Sequence, residues 1–328
     1  MEMFENLSPQ KKAVQRIVSV ILIFGAVLCI YQPEYHALRV FTRFAPQITI
    51  GYWVLGLFFL TVQHARLTMV SFICCGFLCL FLKGVSDSNV EKTPQTNATN
   101  LSIAQINISL SNSNYAETLE SIKKTNADVL SIQEVDFEWS RRLKDSLSGL
   151  YPFNCRVSKP DLYGTELFSK FAFTTCDTFF CEDVPNLMVS LKKTPTSRPF
   201  YVISTYVTPP LFSSAYKMMQ NQLNTISEHI KAIKDPLIAV GDYNIEASSF
   251  EIQQFRQEAG LFNSRRGYRP SREDGSFDLT EVPTDHIFFK PELECTRFET
   301  IIGAKNEHLG IYGTFQIANP SPNVKKKN

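Results

Sequence analysis

Three long apolar runs without charged residues occupy the first ninety positions: residues 17–31, 44–62 and 67–82. A bilayer-spanning helix needs roughly 20 apolar residues, with about 17 as the lower end, so the first and third runs are short. The basic residues that flank the runs and can snorkel to the interface are Lys12, Arg16, Arg66 and Lys83. No small-residue cleavage site follows the first run, and two more runs come after it. The pattern therefore predicts three transmembrane spans within residues 1–83, rather than a signal peptide followed by core helices.

Three spans would place the two ends of the chain on opposite sides of a membrane. The slight excess of basic residues before the first run favours an N-terminus inside the cytoplasm. We therefore expect a multi-pass protein of the cytoplasmic membrane with its soluble domain outside the cytoplasm.

The remaining chain has the mixed pattern of a soluble domain. Residues 84–100 are polar and predict a linker, and the tail 319–328, with its lysines and prolines, predicts disorder. In between, strands are predicted at 101–108, 128–132, 162–173, 186–191, 200–207, 236–240, 284–289 and 310–317. Helices are predicted at 137–147 and 214–234, and a further one is capped by Asn112 or Asn114. Such mixing indicates a layered α/β or α+β architecture.

Composition narrows the function only a little. Lys and Arg number 33 against 32 Asp and Glu, so the net charge of +1 argues neither for nor against a nucleic-acid partner. The 8 cysteines form no CxxC pair, which excludes the usual spacing of a structural zinc site. The four cysteines of the soluble part could form disulfides outside the cytoplasm, but the sequence leaves their pairing open.

Acidic and amide residues recur where predicted strands begin or end. They are Asn107, Glu134, Asp242, Asn244, Asp285, Glu307 and His308. Taken singly, each has a simpler interpretation as a helix cap, a turn former or a surface residue. Their ordered recurrence favours one shared site, because rigid scaffolds present catalytic groups at strand ends. Carboxylate and amide oxygens suit Mg²⁺ or Mn²⁺, and a histidine can transfer protons near neutral pH.

Five stretches carry a family resemblance. They are residues 104–107, 127–135, 238–244, 284–287 and 306–311. In this order they resemble the endonuclease/exonuclease/phosphatase superfamily of DNase I-like proteins over residues 101–318. Trp139, Tyr151-Pro152 and Gly260-Leu261 are similar in particular to bacterial members with an N-terminal membrane segment, including the teicoplanin-resistance type.

The resemblance implies a fold and a set of roles. The expected fold is a four-layer sandwich, in which two β-sheets pack face to face and helices lie outside. Glu134 would be the main metal carboxylate, with Asn107 and Glu307 beside it. Asp242 and Asn244 would orient the attacking water and the phosphate. His308, held by Asp285, would be the general base or a phosphate ligand, and the choice of base between His308 and Asp242 stays open.

Two positions depart from the family pattern. Glu307 stands where most relatives have Asp, and Tyr206 stands where many phosphatase-like members have His. Tyr206 can donate a hydrogen bond to phosphate but cannot act as an imidazolium.

The expected activity is metal-dependent phosphoester hydrolysis at a membrane, with a lipid-linked phosphate or a nucleic acid as substrate and no protein partner. The alternative is a catalytically inactive, membrane-anchored binding module. Arg265, Arg266, Arg269 and Arg272 form either a phosphate-recognition loop or a solvated one.

Overall fold

The computed structural model describes residues 9–31, 38, 40–86, 91–95, 100–108, 114–157, 164–265, 282–303 and 308–317. These residues divide into two compact units. One comprises 9–86 and 247–253, and the other comprises 91–246 and 254–317.

The first unit is helical, with α1 Pro9–Tyr31, α2 Val40–Arg43, α3 Ala45–Thr61 and α4 Ala65–Val85. Helices α1 and α4 are long and apolar enough to cross a membrane, whereas α3 has only 17 residues. The apolar helices are therefore confirmed, but only two of the three predicted spans meet this criterion among the described residues. Small side chains such as Ala26, Cys29 and Ala45 are buried where the helices pack, while many large apolar side chains stay exposed.

The second unit contains two six-stranded mixed sheets. The strands of the first sheet are β1 Asn100–Asn107, β2 Val129–Gln133, β3 Phe153–Val157, β4 Thr165–Ser169, β11 Leu293–Ile302 and β12 His308–Ile317. Those of the second are β5 Phe173–Cys181, β6 Val184–Leu191, β7 Phe200–Tyr206, β8 Leu237–Asp242, β9 Phe262–Asn263 and β10 Asp285–Phe289. In the first sheet the strand order is β11-β12-β1-β2-β4-β3, and in the second it is β5-β6-β7-β8-β10-β9. The helices of this unit are α5 Tyr115–Thr125, α6 Phe137–Leu147 and α7 Ser213–Ala232. Helix α8 Phe250–Ala259 begins in the first unit and continues into the second from residue 254.

Alternation along the strands explains the layering. In β1, Leu101 and Ile103 join the core between the sheets, while Ala104 and Ile106 pack into a second core with Trp139 of α6. The first sheet is thus buried on both faces. Helix α7 likewise buries one apolar face, with residues such as Met219 and Leu223. Two packed mixed sheets flanked by helices confirm the predicted fold.

The predicted single strand at 162–173 is wrong. The chain bends at Lys170 and Phe171, where the Phe171 amide donates to Ser169 Oγ at 3.0 Å. Strand β4 ends before this bend and β5 begins after it, in the other sheet. The sequence of this segment has no marked break between β4 and β5, so the crossing from one sheet to the other could not be predicted from it.

A disulfide joins the two sheets at one side of the sandwich. Cys155 lies on β3 and Cys176 on β5, with their Cα atoms 6.0 Å apart. Each strand is the last of its sheet. The bond therefore links the edges of the two layers, and it settles a pairing that the sequence had left open.

Candidate functional site

The first sheet supplies an amide and a carboxylate from neighbouring parallel strands. Asn107 ends β1, and Glu134 follows directly after β2. Asn107 Nδ2 donates to Glu134 Oε1 at 2.9 Å. Glu134 has φ 58°, a left-handed conformation that is uncommon for a residue other than glycine. It does not cap α6, because Asp136 accepts from the Trp139 amide instead. The helix-cap interpretation of Glu134 is therefore wrong.

The second sheet supplies three polar side chains from adjacent strand ends. Tyr206 is paired with Asp242 in the parallel β7–β8 register, and Asp285 is paired with Asp242 in the antiparallel β8–β10 register. Asn107 Nδ2 also donates to Asp242 Oδ2 at 3.1 Å. Asn107 thus bridges carboxylates from the two sheets, and five of the predicted residues converge at one end of the sandwich.

Asp242 lies in an unfavourable environment for a charged carboxylate. It is only 8% exposed. Burial, and then the charge of Asp285, raise the pKa of Asp242 to about 7, although hydrogen bonds from Asn244 and Asn107 act in the opposite direction. Asp242 can therefore change protonation state near neutral pH.

Asn244 organises the loop after β8. It has φ 54°, its amide nitrogen donates to Asp242 Oδ1 at 2.9 Å, and its Nδ2 donates to Val207 O at 2.8 Å. This is the geometry of a turn former, as the simpler interpretation of Asn244 predicts. The turn fixes the Asp242 carboxylate and ties together the segments that follow β7 and β8.

His308 and Asp285 form a dyad between the sheets. His308 Nε2 lies 2.6 Å from Asp285 Oδ2. The other ring nitrogen, Nδ1, has no hydrogen-bond partner among the residues that the structure describes. A carboxylate that holds one imidazole nitrogen orients the ring and leaves the second nitrogen for proton transfer or for an anionic ligand.

The donor set fits a hard divalent cation. Glu134 supplies carboxylate oxygens and the Asn107 amide supplies Oδ1, while Asn107 Nδ2 faces the Glu134 and Asp242 carboxylates. Burial, and then the charge of Asp285, raise the pKa of Asp242, and a nearby cation would favour its charged form. Within the described ranges, no three His, Cys, Asp or Glu side chains group closely enough to hold a metal by themselves. The third predicted ligand, Glu307, lies outside those ranges.

One large groove does not coincide with the candidate site. This groove of about 980 Å³ runs between α5 and β11, and none of the predicted site residues line it.

Arg265 is buried, packs over the Phe298 ring and points Nη2 toward Asp285 O at 3.5 Å. The solvated-loop interpretation is therefore wrong for Arg265, while Arg266, Arg269 and Arg272 lie outside the described residues.

Comparison with known proteins identifies the family of the chain. The model of the Endonuclease/Exonuclease/phosphatase family matches residues 104–305. The chain belongs to this family. Its members are phosphoesterases and nucleases, so the family membership supports phosphoester hydrolysis in general terms. No curated protein matches the chain.

Solved structures share the fold of this endonuclease/exonuclease/phosphatase protein at low identity. A family member from Beutenbergia cavernae DSM 12333 has a TM-score of 0.57 at 16% identity, with 67% of this chain and 72% of that chain covered. Humanized D. rerio TDP2 has a TM-score of 0.55 at 17% identity, with 66% and 98% covered. ANGEL2, described as a 2′,3′-cyclic phosphatase, has a TM-score of 0.54 at 14% identity, with 70% and 99% covered.

Gln133 is a further polar residue beside the candidate site that the sequence analysis does not name. Its side chain is fully buried, and its Oε1 accepts from the Asp242 amide at 2.9 Å. A glutamine at the end of a buried strand, directly before the candidate ligand Glu134, was the available signal.

Proposed function

We propose that this protein is a membrane-tethered, divalent-metal-dependent phosphoester hydrolase. The observation that carries the proposal is the meeting of the His308–Asp285 dyad with the Asn107, Glu134 and Asp242 cluster at one end of the two sheets. Fixed proton-transfer groups beside oxygen donors are what phosphoester hydrolysis requires.

Glu134 would be the main ligand of Mg²⁺ or Mn²⁺, assisted by Asn107 and Glu307. When bound, such a cation acts as a Lewis acid on the phosphoryl oxygen and offsets the developing negative charge.

The other residues act on water and phosphate. Asp242, whose pKa of about 7 allows it to accept a proton, would orient the attacking water together with Asn244. His308, oriented by Asp285, would take up a proton or hold the phosphate. Tyr206, beside Asp242 in the sheet, would donate a hydrogen bond to a phosphate oxygen.

The substrate would be a phosphate ester of one of two kinds. Structural neighbours include D. rerio TDP2 complexed with a single-strand DNA product, which favours a nucleic acid. The apolar helices α1 and α4 favour a lipid-linked phosphate, because they would hold the domain at a bilayer.

The Cys155–Cys176 disulfide supports a domain outside the cytoplasm. Disulfides persist in oxidising compartments and are rare in the cytosol. Membrane insertion, a multi-pass arrangement and the extracytoplasmic placement are parts of this proposal.

The test is a hydrolysis screen on the detergent-solubilised full chain with and without MgCl₂ or MnCl₂. Substrates would be a chromogenic phosphodiester, a phosphomonoester, single-stranded DNA and a lipid pyrophosphate. Metal-dependent turnover that is absent from the His308→Ala variant is expected. Background hydrolysis alone, without calorimetric binding of either metal, would reject the enzyme and favour the inactive binding module.

A further inference from the structure

The candidate site is divided between two separately hydrogen-bonded sheets. Asn107, Glu134 and His308 belong to the first sheet, while Asp242 and Asp285 belong to the second. Most of the packing between the sheets is apolar, with side chains such as Leu187, Val202 and Val240. Apolar packing is not directional, so polar contacts between the sheets add to how exactly the two halves are placed relative to each other.

Gln133 makes directional bonds across this interface. Its Oε1 accepts from Gln105 Nε2 at 3.1 Å within the first sheet and from the Asp242 backbone amide at 2.9 Å in the second. Its Nε2 donates to Thr205 O, also in the second sheet. Three hydrogen bonds on one fully buried amide, in a region of low dielectric constant, hold the group firmly.

The two atoms of the second sheet that Gln133 contacts belong to the backbone directly at the site. One is the amide of Asp242 itself, and another is the carbonyl just before Tyr206. Gly241 leaves room for this approach, because a Cβ there would collide with Thr205 O and lie 2.9 Å from Gln133 Nε2. On its other side Gln133 is bonded covalently to Glu134. One side chain thus connects the candidate metal carboxylate with the candidate water-orienting carboxylate.

We propose that Gln133 is the positioning residue that sets the distance between the two halves of the site. The inference rests on the proposed function, since it concerns the alignment of the same catalytic groups. Misplacement of reacting groups by about 1 Å can cost on the order of 10²-fold in rate.

The test compares Gln133→Met with the double variant Ser131→Ala/Ser204→Ala in the full chain. Ser131 Oγ and Ser204 Oγ lie 2.6 Å apart and form another buried polar contact between the same sheets. Among the residues that the structure describes, neither side chain is hydrogen-bonded to a candidate site residue. With a chromogenic phosphodiester and MnCl₂, Gln133→Met should lower kcat by about 10- to 100-fold with a smaller change in KM, and the serine variant should stay within about twofold. The rise in Tm that MnCl₂ causes should also need at least about tenfold more metal in Gln133→Met.

Gln133→Glu separates positioning from loss of structure. A protonated Glu can accept and donate as Gln does, and burial favours the protonated form. The activity of Gln133→Glu relative to wild type should therefore rise as the pH falls, whereas that of Gln133→Met should not. If Gln133→Met matches the serine variant in kcat and in metal response, Gln133 is not a positioning residue. If wild type itself neither turns over nor binds metal, the proposed function has failed instead.

Discussion

His308 and Asp285 come from different sheets, and His308 Nε2 lies 2.6 Å from Asp285 Oδ2. Asp285 opens β10 beside Asp242, whereas His308 opens β12, whose neighbour β1 ends at Asn107. The dyad therefore depends on how the two sheets pack, and it places an oriented imidazole beside the carboxylate cluster.

Loss of the dyad should affect turnover far more than stability. His308→Ala should lower kcat by about 10²- to 10⁴-fold, the usual contribution of a general acid–base group. Asp285→Asn should lower kcat through its effect on the His308 imidazole. The kcat of the double variant should therefore be little lower than that of the less active single variant. The matched control is His229→Ala, because His229 stacks on Phe179 away from the site. Additive losses in the double variant would show that the two residues act independently.

Asp242 should make the metal-free protein less stable as the pH rises. Its folded-state pKa of about 7 exceeds the ordinary value of 3.8, so between these values the folded chain keeps a proton that the unfolded chain has lost. The free energy of unfolding must then fall as the pH rises through this window. Above about pH 7 the full cost of ionising Asp242 in the folded state is present. Asp242→Asn removes this ionisation. In EDTA its Tm advantage over wild type should grow from pH 4 to pH 8, and a constant difference would contradict the assignment.

The meeting of the candidate residues was easier to predict from the sequence than the strands that carry them. Asp242 and Asn244 follow a predicted apolar strand, and the structure shows the turn that the simpler interpretation of this sequence predicts. The edge strand β5 was missed because most of its side chains are exposed and no alternation marks it. The role proposed for Gln133 could not be predicted from the sequence, because its partners Thr205 and Asp242 lie on other strands far along the chain.

Tyr206→Phe should test whether this hydroxyl serves the substrate. Tyr206 is buried at the end of β7 and is paired with Asp242. If its hydroxyl donates to phosphate, turnover should fall by about tenfold or more while Tm changes little. Tyr201→Phe, at the opposite end of the same strand, is the matched control and should retain turnover. A fall of several degrees in Tm with unchanged turnover would make Tyr206 a structural residue.

The disulfide should stabilise the second unit and report its compartment. Cys155 and Cys176 are 21 residues apart, and closing a loop of this size stabilises by about 3 kcal/mol. Cys155→Ser/Cys176→Ser should therefore unfold at a lower denaturant concentration than Cys79→Ser, which alters a free cysteine of the first unit. In intact bacterial spheroplasts, added protease should cut the domain of the wild-type chain. Protection until lysis, with both thiols open to alkylation, would place the domain in the cytoplasm.

Glu134 provides the sharpest separation between metal binding and chemistry. Glu134→Gln keeps an oxygen that can accept from Asn107 Nδ2 but removes the charge, so the local hydrogen bond should survive. Loss of an outer-shell partner weakens metal binding by about 10- to 100-fold. Loss of Glu134 as a direct ligand should weaken Mn²⁺ binding by more than that. Activity should disappear with the metal, whereas His308→Ala should still bind Mn²⁺ with near wild-type affinity. Calorimetry on both variants decides the assignment, because Mn²⁺ binding that is unchanged in Glu134→Gln would mean that the cation is held elsewhere and that Glu134 has another role.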